Sequence, residues 1–489
     1  MTAPRTWLPD PSHYPEQMTP LSASVWFEAV GLGLHEAARE LRAPFGGFVA
    51  RTELGWAYEG ALEPEWDHDP EIARNAALAL AARWDAVYRE RAWEITRELW
   101  RLRPELPAPH EAVALLDRMW ELVREQWTLH FLVVIPAQIS AEVFSERYVD
   151  LFGTADPLAP YRLLERDRPD DELAGLAQLA KENGLDHLIR ELPVVHALAR
   201  LRGLALGRDW LRRLGDHLDP LGGRAGLVRW HELSLRREAE LPELTLAAIR
   251  LQLDREPRAP RAREDVPEPL VELHAACAAA FALKEAHAYH IDYPGLLATR
   301  EVLLGFGRRL AAEGLLDGAD DVWTLTRAEL RTALTDAGDL RALVASRREE
   351  AARGLVEGPA AYLGDPPAAE VRHVALEKFY GSGGHALSGA GASPGVAEGT
   401  ARIVARPEDF ARVRPGDVLV TATTTPAWTP LFGSIAALVT ETGGILSHAA
   451  VVAREYGIPA AVGATGATTA IPDGARVRVD GTTGEVVVL

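Results

Sequence analysis

From residue 70 to residue 360, roughly, apolar positions recur at spacings of three and four, the pattern of helices that bury one stripe. The segments Glu71–Leu102, His110–Phe131, Asp171–Leu192, Glu268–Tyr289, Leu296–Glu313 and Ala328–Gly354 all follow it. In His110–Phe131, for example, Leu115, Leu116, Met119, Leu122 and Val123 fall on one face. Proline and glycine punctuate the runs at Pro104–Pro109, Pro220–Gly223, Pro257–Pro260 and Pro366–Pro367. No repeat of fixed period is present, so a solenoid is not expected. From Ala386 onward the pattern changes to short β-branched runs, Thr400–Ala405, Asp417–Thr421, Ala436–Thr440, Arg476–Val479 and Glu485–Leu489, separated by glycine-containing turns. The expectation is a multidomain chain: a mainly α-helical domain over residues 1–365, a flexible linker over 366–390, and a small β/α domain over 391–489. The stretch Tyr380–Gly395 holds six glycines and little that packs, which suits a domain that swings.

Composition narrows the classes. The 489 residues are 47% hydrophobic, enough for more than one core, and the formal charge of -19 argues against a nucleic-acid partner. No run approaches the ~18 uninterrupted apolar residues of a spanning helix, and the N-terminus has no signal-peptide pattern. A soluble cytoplasmic protein without a membrane partner is expected. The single cysteine, Cys277, excludes a disulfide framework within the chain.

The most informative stretch is Thr440–Val462, TETGGILSHAAVVAREYGIPAAV. An apolar strand, Ala436–Val439, enters a turn at Thr442, Gly443 and Gly444; a helix then starts at Ser447 or His448 and stops at Gly457, with Pro459 preventing continuation. Ser447 reads as the N-cap. His448 therefore lies in the first turn, where free backbone N–H groups and the positive end of the helix dipole favour an anion. A neutral imidazole is a competent nucleophile, and a phosphoryl group carries about two negative charges at neutral pH. A histidine in this position can also be no more than part of a helix start.

The whole string resembles the phosphohistidine signature of the phosphoenolpyruvate-utilising enzymes, which include phosphoenolpyruvate synthase, pyruvate phosphate dikinase and the rifampin phosphotransferases. The likeness covers Gly443–Gly444, Ser447–His448–Ala449, Val451–Arg454 and Gly457–Pro459, with Ser393–Gly395, Glu398–Ala401 and Thr425–Leu431 upstream. It implies that His448 is the phosphorylated residue, that Thr442, Gly443, Gly444, Ser447 and Thr425 stabilise the phosphoryl group, and that the domain swivels. Leu446 stands where the dikinases carry threonine or a similar residue, so their regulation at that site is not expected. The helical half resembles, more loosely, the acceptor domain of the rifampin phosphotransferases: Asp10–Pro15, Met18–Ser22, Gly46–Phe48, Gly307–Leu310 and Asp320–Trp323 carry the likeness.

No GxxxxGK[ST] loop and no block of ATP-grasp size is found, and lysine is scarce. The expectation is a split system. A separate ATP-grasp protein would bind ATP and Mg2+ and phosphorylate His448, releasing AMP and phosphate; no tightly bound cofactor is expected on this chain. His448 would then pass the group to a small-molecule acceptor in the helical domain. The alternatives are a dehydratase or cyclase driven by the same relay, and a phosphocarrier to another protein; the large helical half disfavours the last.

Candidates for the acceptor site are Glu285, His287, His290, Asp292 and Arg300, where Glu285 and Asp292 share a face if their helix is unbroken and Pro294 would kink or end it. Arg229, His231 and Glu232 form a second group, and His130, on the mostly apolar side of its helix, a third. A solvated polar face, or for His130 a core histidine, is the alternative reading. Their spacing matches no metal motif, so no metal site is expected. The 13 tryptophans leave room for an aromatic-lined pocket.

Overall fold

The computed structural model describes residues 4–10, 14, 16–105, 108–153, 155–165, 172–219, 232–234, 242–254, 265–336, 338–366, 387–424 and 428–489. Most of the expected linker, together with Thr425, Arg229 and His231, lies outside them.

The chain forms two compact units that do not follow chain order. One comprises Met1–Phe144, Arg229–Arg236 and Ala275–Glu370; the other comprises Ser145–Val228, Arg237–His274 and Val371–Leu489. Segments 145–228 and 237–274 of the expected helical domain thus group with the C-terminal residues.

The first unit is mainly helical. Helices Pro70–Arg83, Arg89–Arg101 and Asp292–Ala312 belong to it, and the second and third bond to the long helix Pro109–Phe152 through Arg91–Glu125 and His130–Asp292. By length and composition, residues 110–152 of that long helix are apolar enough to cross a membrane. In the fold, its Leu116, Met119, Leu122, Val123, Trp127 and Val133 are buried in the core. Trp127 packs on Trp26 with ring centroids 4.8 Å apart.

The helical pattern gave no warning of a four-stranded antiparallel sheet in this unit. It consists of β1 (Thr6–Pro9), β2 (Phe48–Glu53), β3 (Trp56–Ala61) and β4 (Leu363–Gly364), in the order β2-β3-β1-β4. The β2–β3 hairpin turns at Leu54 and Gly55, both with positive φ (50° and 81°), as a two-residue hairpin of matching twist requires.

The second unit carries a seven-stranded sheet built from β5 (Ala390–Ser393), β6 (Val396–Ile403), β7 (Val418–Thr421), β8 (Ala437–Thr440), β9 (Ala460–Val462), β10 (Arg476–Asp480) and β11 (Glu485–Val488). Its order is β11-β10-β6-β7-β8-β9-β5. Strands β6 to β9 are parallel, with antiparallel strands at both edges.

Period-two alternation splits the strand residues between two cores. Val418, Val420, Ala437 and Val439 face one side, with Val477, Val479 and Ile471. Leu419 and Leu438 face the other, beneath Ala450, Val452, Ala453 and Tyr456 of the helix His448–Tyr456. Helices Glu172–Glu182, Val194–Gly203, Ala205–His217 and Pro242–Leu253 form a third core around Trp210 and Ile249. The helix Pro242–Leu253 belongs to two of these cores, because Leu246 and Ile249 face the helices while Leu251 enters the sheet domain.

Candidate active site

In an open sheet with parallel strands, ligands gather beyond the carboxyl ends of the strands. Here β8 runs into the loop 441–447, and the helix His448–Tyr456 follows. Backbone geometry fixes that loop. The Glu441 N–H donates to the Thr421 carbonyl at 3.1 Å; the Thr442 N–H and Oγ1 both donate to the Ala422 carbonyl, at 3.1 and 3.0 Å. Gly443 has φ +99°, which side-chain-bearing residues avoid. The Ser447 N–H donates to the Gly444 carbonyl at 2.9 Å, closing the turn.

Ser447 is extended (φ -65°, ψ 161°), and its Oγ accepts from the Ala450 N–H at 3.4 Å, so it is the N-cap; Gly457, at φ 64°, ends the helix in the left-handed conformation. His448 is the first helical residue, half-buried, with the Phe432 ring edge-on at 6.3 Å. Thr442, Gly443, Gly444 and Ser447 thus form one continuous bend that leads into His448.

Arg454 was quoted in the motif without a role, and the fold gives it one. Its side chain is fully buried, and Nη1 donates to the Ile445 carbonyl at 2.7 Å and the Ala392 carbonyl at 2.9 Å. Its Nε pairs with Glu165, whose side chain is also buried. Arg454 therefore braces the loop that presents His448. Glu441 ties the same loop to the next helix by accepting from Thr468 N and Oγ1, at 2.8 and 2.6 Å.

The acceptor candidates separate in the first unit. The helix Val271–Ala286 does not continue to Asp292: a tight turn, His287–Tyr289, intervenes, and a new helix starts at Asp292. In an unbroken helix the Pro294 ring would meet the carbonyl of residue 290, whereas in a first turn its missing N–H costs nothing. Proline therefore starts the second helix instead of kinking one long helix, and Glu285 and Asp292 do not share an unbroken face. Glu285 accepts from Lys284 Nζ at 2.8 Å. Arg300 is buried, with Nη1 3.3 Å from Glu301.

The break turns His287 and Asp292 toward His130. His130 Nδ1 donates to Asp292 Oδ1 at 2.8 Å; His287 Nε2 lies 3.3 Å from Asp292 Oδ2 and 3.2 Å from His130 Nδ1. His287 Nδ1 donates to the Leu283 carbonyl at 2.9 Å, which fixes the ring's orientation. Burial opposes charge on both His287 and Asp292. Even so, the Asp292 carboxylate holds the His287 pKa above its usual value, and the two histidines hold the Asp292 carboxyl well below the ordinary carboxylate range.

Aromatic rings enclose the group. Trp127 and Phe131 each lie 4.8 Å from the His130 ring and 6.2 Å from one another. His290 accepts from Trp93 Nε1 at 3.2 Å and meets the Trp84 edge at 5.5 Å. Trp84 begins a wide π-type turn, Trp84–Tyr88, a distortion that often accompanies function.

Glu232 sits elsewhere and is fully engaged. It accepts from Thr19 N (2.7 Å), Thr19 Oγ1 (2.9 Å), Ser22 Oγ (2.6 Å) and Ser234 N (3.0 Å), pinning the start of the first helix.

Comparison with known proteins bears on the domain that carries His448. Residues 413–484 match the family described as PEP-utilising enzyme, mobile domain. The C-terminal sheet domain thus carries a PEP-utilising mobile-domain match, and His448 lies inside the matched residues. Rifampicin phosphotransferase of Bacillus cereus is 56% identical over 104 residues, 21% of this chain and 12% of that protein. The uncharacterised phosphotransferase YvkC of Bacillus subtilis is 37% identical over 213 residues, 42% of this chain and 26% of that protein. Chondramide synthase cmdD of Chondromyces crocatus is 29% identical across 99% of this chain, which covers 14% of that protein. The chain thus spans about a quarter or less of the length of each of these relatives.

Proposed function

We propose that this chain is the relay component of a phosphotransferase. A separate ATP-grasp protein, holding ATP and Mg2+, transfers the β-phosphoryl group of ATP to a His448 imidazole nitrogen; water takes the γ-phosphoryl group, and AMP and phosphate leave. The phosphorylated histidine then meets a small-molecule acceptor held by the helical unit. There the P–N bond breaks with its electron pair returning to the ring, a P–O bond forms to an acceptor hydroxyl, and the hydroxyl proton is lost to the pocket. The His130–His287–Asp292 group is the acceptor-side centre in this reading, because transfer requires a site that eases deprotonation of the nucleophile.

One observation carries the proposal: His448 opens a capped helix directly after a glycine turn, inside the 413–484 match to the mobile-domain family. Free amides and the helix dipole at that point favour the bound phosphoryl group by about 0.3–1 kcal/mol in an exposed setting, and more when partly buried. Incubating the full chain with an ATP-grasp protein and ATP labelled at the β-phosphate tests it. The expected result is acid-labile label on the wild type and none on His448→Ala. Equal labelling of both would overturn the assignment.

A further inference from the structure

We propose that His130, His287 and Asp292 form a binding site for one divalent transition-metal ion, of which Zn2+ is the representative. Three donor atoms, His130 Nδ1, His287 Nε2 and a carboxylate oxygen of Asp292, converge on one point. His130 Nδ1 lies 2.8 Å from Asp292 Oδ1 and 3.2 Å from His287 Nε2, and His287 Nε2 lies 3.3 Å from the other carboxylate oxygen, Oδ2. Ligands held about 2.0–2.2 Å from a shared ion lie about 2.8 to 3.6 Å apart, depending on whether they subtend 90° or a tetrahedral angle. Each of these separations, taken to the nearer carboxylate oxygen in each case, lies within that range.

Two further observations favour an ion over a plain hydrogen-bonded cluster. His287 donates its other ring nitrogen, Nδ1, to the Leu283 carbonyl, the outer contact that metal-ligating histidines commonly make. This leaves the Nε2 lone pair aimed at a carboxylate oxygen and at a second imidazole nitrogen. An ion among the two ring nitrogens and the carboxylate would satisfy all three donors at once. His287 is buried, and the His130 and Asp292 side chains are only 16% and 15% exposed, so the triangle is a built, partly dry site. Two imidazoles and one carboxylate are a donor set suited to Zn2+, Fe2+ and their neighbours, not to Mg2+ or Ca2+.

The three residues leave at least one coordination position open, as catalytic metal sites do and structural ones do not. In the phosphotransferase reading above, and resting on it, the ion binds the acceptor hydroxyl, lowers its pKa, and offers an alkoxide-like oxygen to the phosphoryl group. The metal site itself does not depend on that reading.

The test uses the full chain, stripped with chelator and titrated with Zn2+ and, as a spectroscopic probe, Co2+. One ion per chain is expected, with His287→Gln and Asp292→Asn each weakening binding at least tenfold and the exposed His68→Gln leaving it unchanged. Wild-type affinity no higher than that of these two variants would overturn the site. Should either variant fail to fold, the wild type decides: Co2+ is expected to bind at one ion per chain with a visible d–d absorption band that Zn2+ abolishes, and no such band would refute the proposal. His448→Ala is expected to bind the ion normally. Loss of label at His448 with intact metal binding defeats only the phosphotransferase reading, and intact labelling without metal binding defeats only this one.

Discussion

The two histidine sites are built in opposite ways. The His448 site is local: cap, glycine turn, histidine and helix stop all fall within Thr440–Gly457, and backbone hydrogen bonds do most of the shaping. The His130–His287–Asp292 site is assembled across the chain, its partners 157 and 162 residues apart, and side chains do the shaping. A group that receives and surrenders a phosphoryl anion needs backbone amides close to it, which a short rigid bend supplies. A centre that must hold an acceptor needs several side-chain donors on one point, which only tertiary packing brings together.

The largest effect that would test this contrast lies at Arg454. Replacing it by Ala removes the brace on the Ile445 carbonyl and leaves the Glu165 carboxylate buried without its cation. Breaking a buried pair in this way costs about 3–5 kcal/mol. Denaturant unfolding is expected to show that loss, together with reduced labelling at His448, while metal titration of the other unit stays unchanged. A variant as stable as the wild type would show that the pair does not hold the loop.

Next in size is Gly295→Ala, aimed at the assembled site. A Cβ there would stand 2.1 Å from Gln126 Oε1, and the Gln126 amide is buried and donates to the Ile291 carbonyl beside Asp292. Overpacking of this kind costs about 1–3 kcal/mol. It is expected to lower metal affinity and leave His448 labelling intact; the reverse pattern would break the comparison. On the local site, Gly443→Ala forces a side chain into positive φ at a cost of about 1–2 kcal/mol and should slow labelling without touching the other unit. The smallest effect is expected for Ser447→Ala. Its cap bond is long, at 3.4 Å, so thermal unfolding should shift by the equivalent of about 0.5–1 kcal/mol.

Cys277 offers an independent probe of the assembled unit. Burial pushes its thiol up to about 11, so little thiolate exists at neutral pH. Alkylation of the native chain should be slow and should accelerate on unfolding; fast native alkylation would mean that this part of the core opens readily.

The same contrast explains what the sequence disclosed. The helix start at His448, the Ser447 cap and the Gly457 stop were legible because each depends on residues within one turn of it. His287, His290 and Asp292 were visible as a polar cluster, but their use was not. His130 lies on an apolar helix face, and only the break forced by Pro294 turns its partners toward it. The β2–β3 hairpin escaped because its turn uses Leu54 before Gly55, where asparagine or aspartate would have signalled it. Its strands nevertheless alternate, as FVARTE and WAYEGA show. Glu232 looked like chemistry in sequence and proved to be an anchor for Thr19 and Ser22, a role set by contacts more than 200 residues away.

The central claim is that one histidine of the fifteen carries the phosphoryl group. Mass spectrometry of the chain after reaction with ATP and an ATP-grasp protein, digested under alkaline conditions that preserve phosphohistidine, tests it most directly. Phosphate is expected on the peptide containing His448 and on no other. Phosphate on the His130 or His287 peptide with His448 unmodified would contradict it.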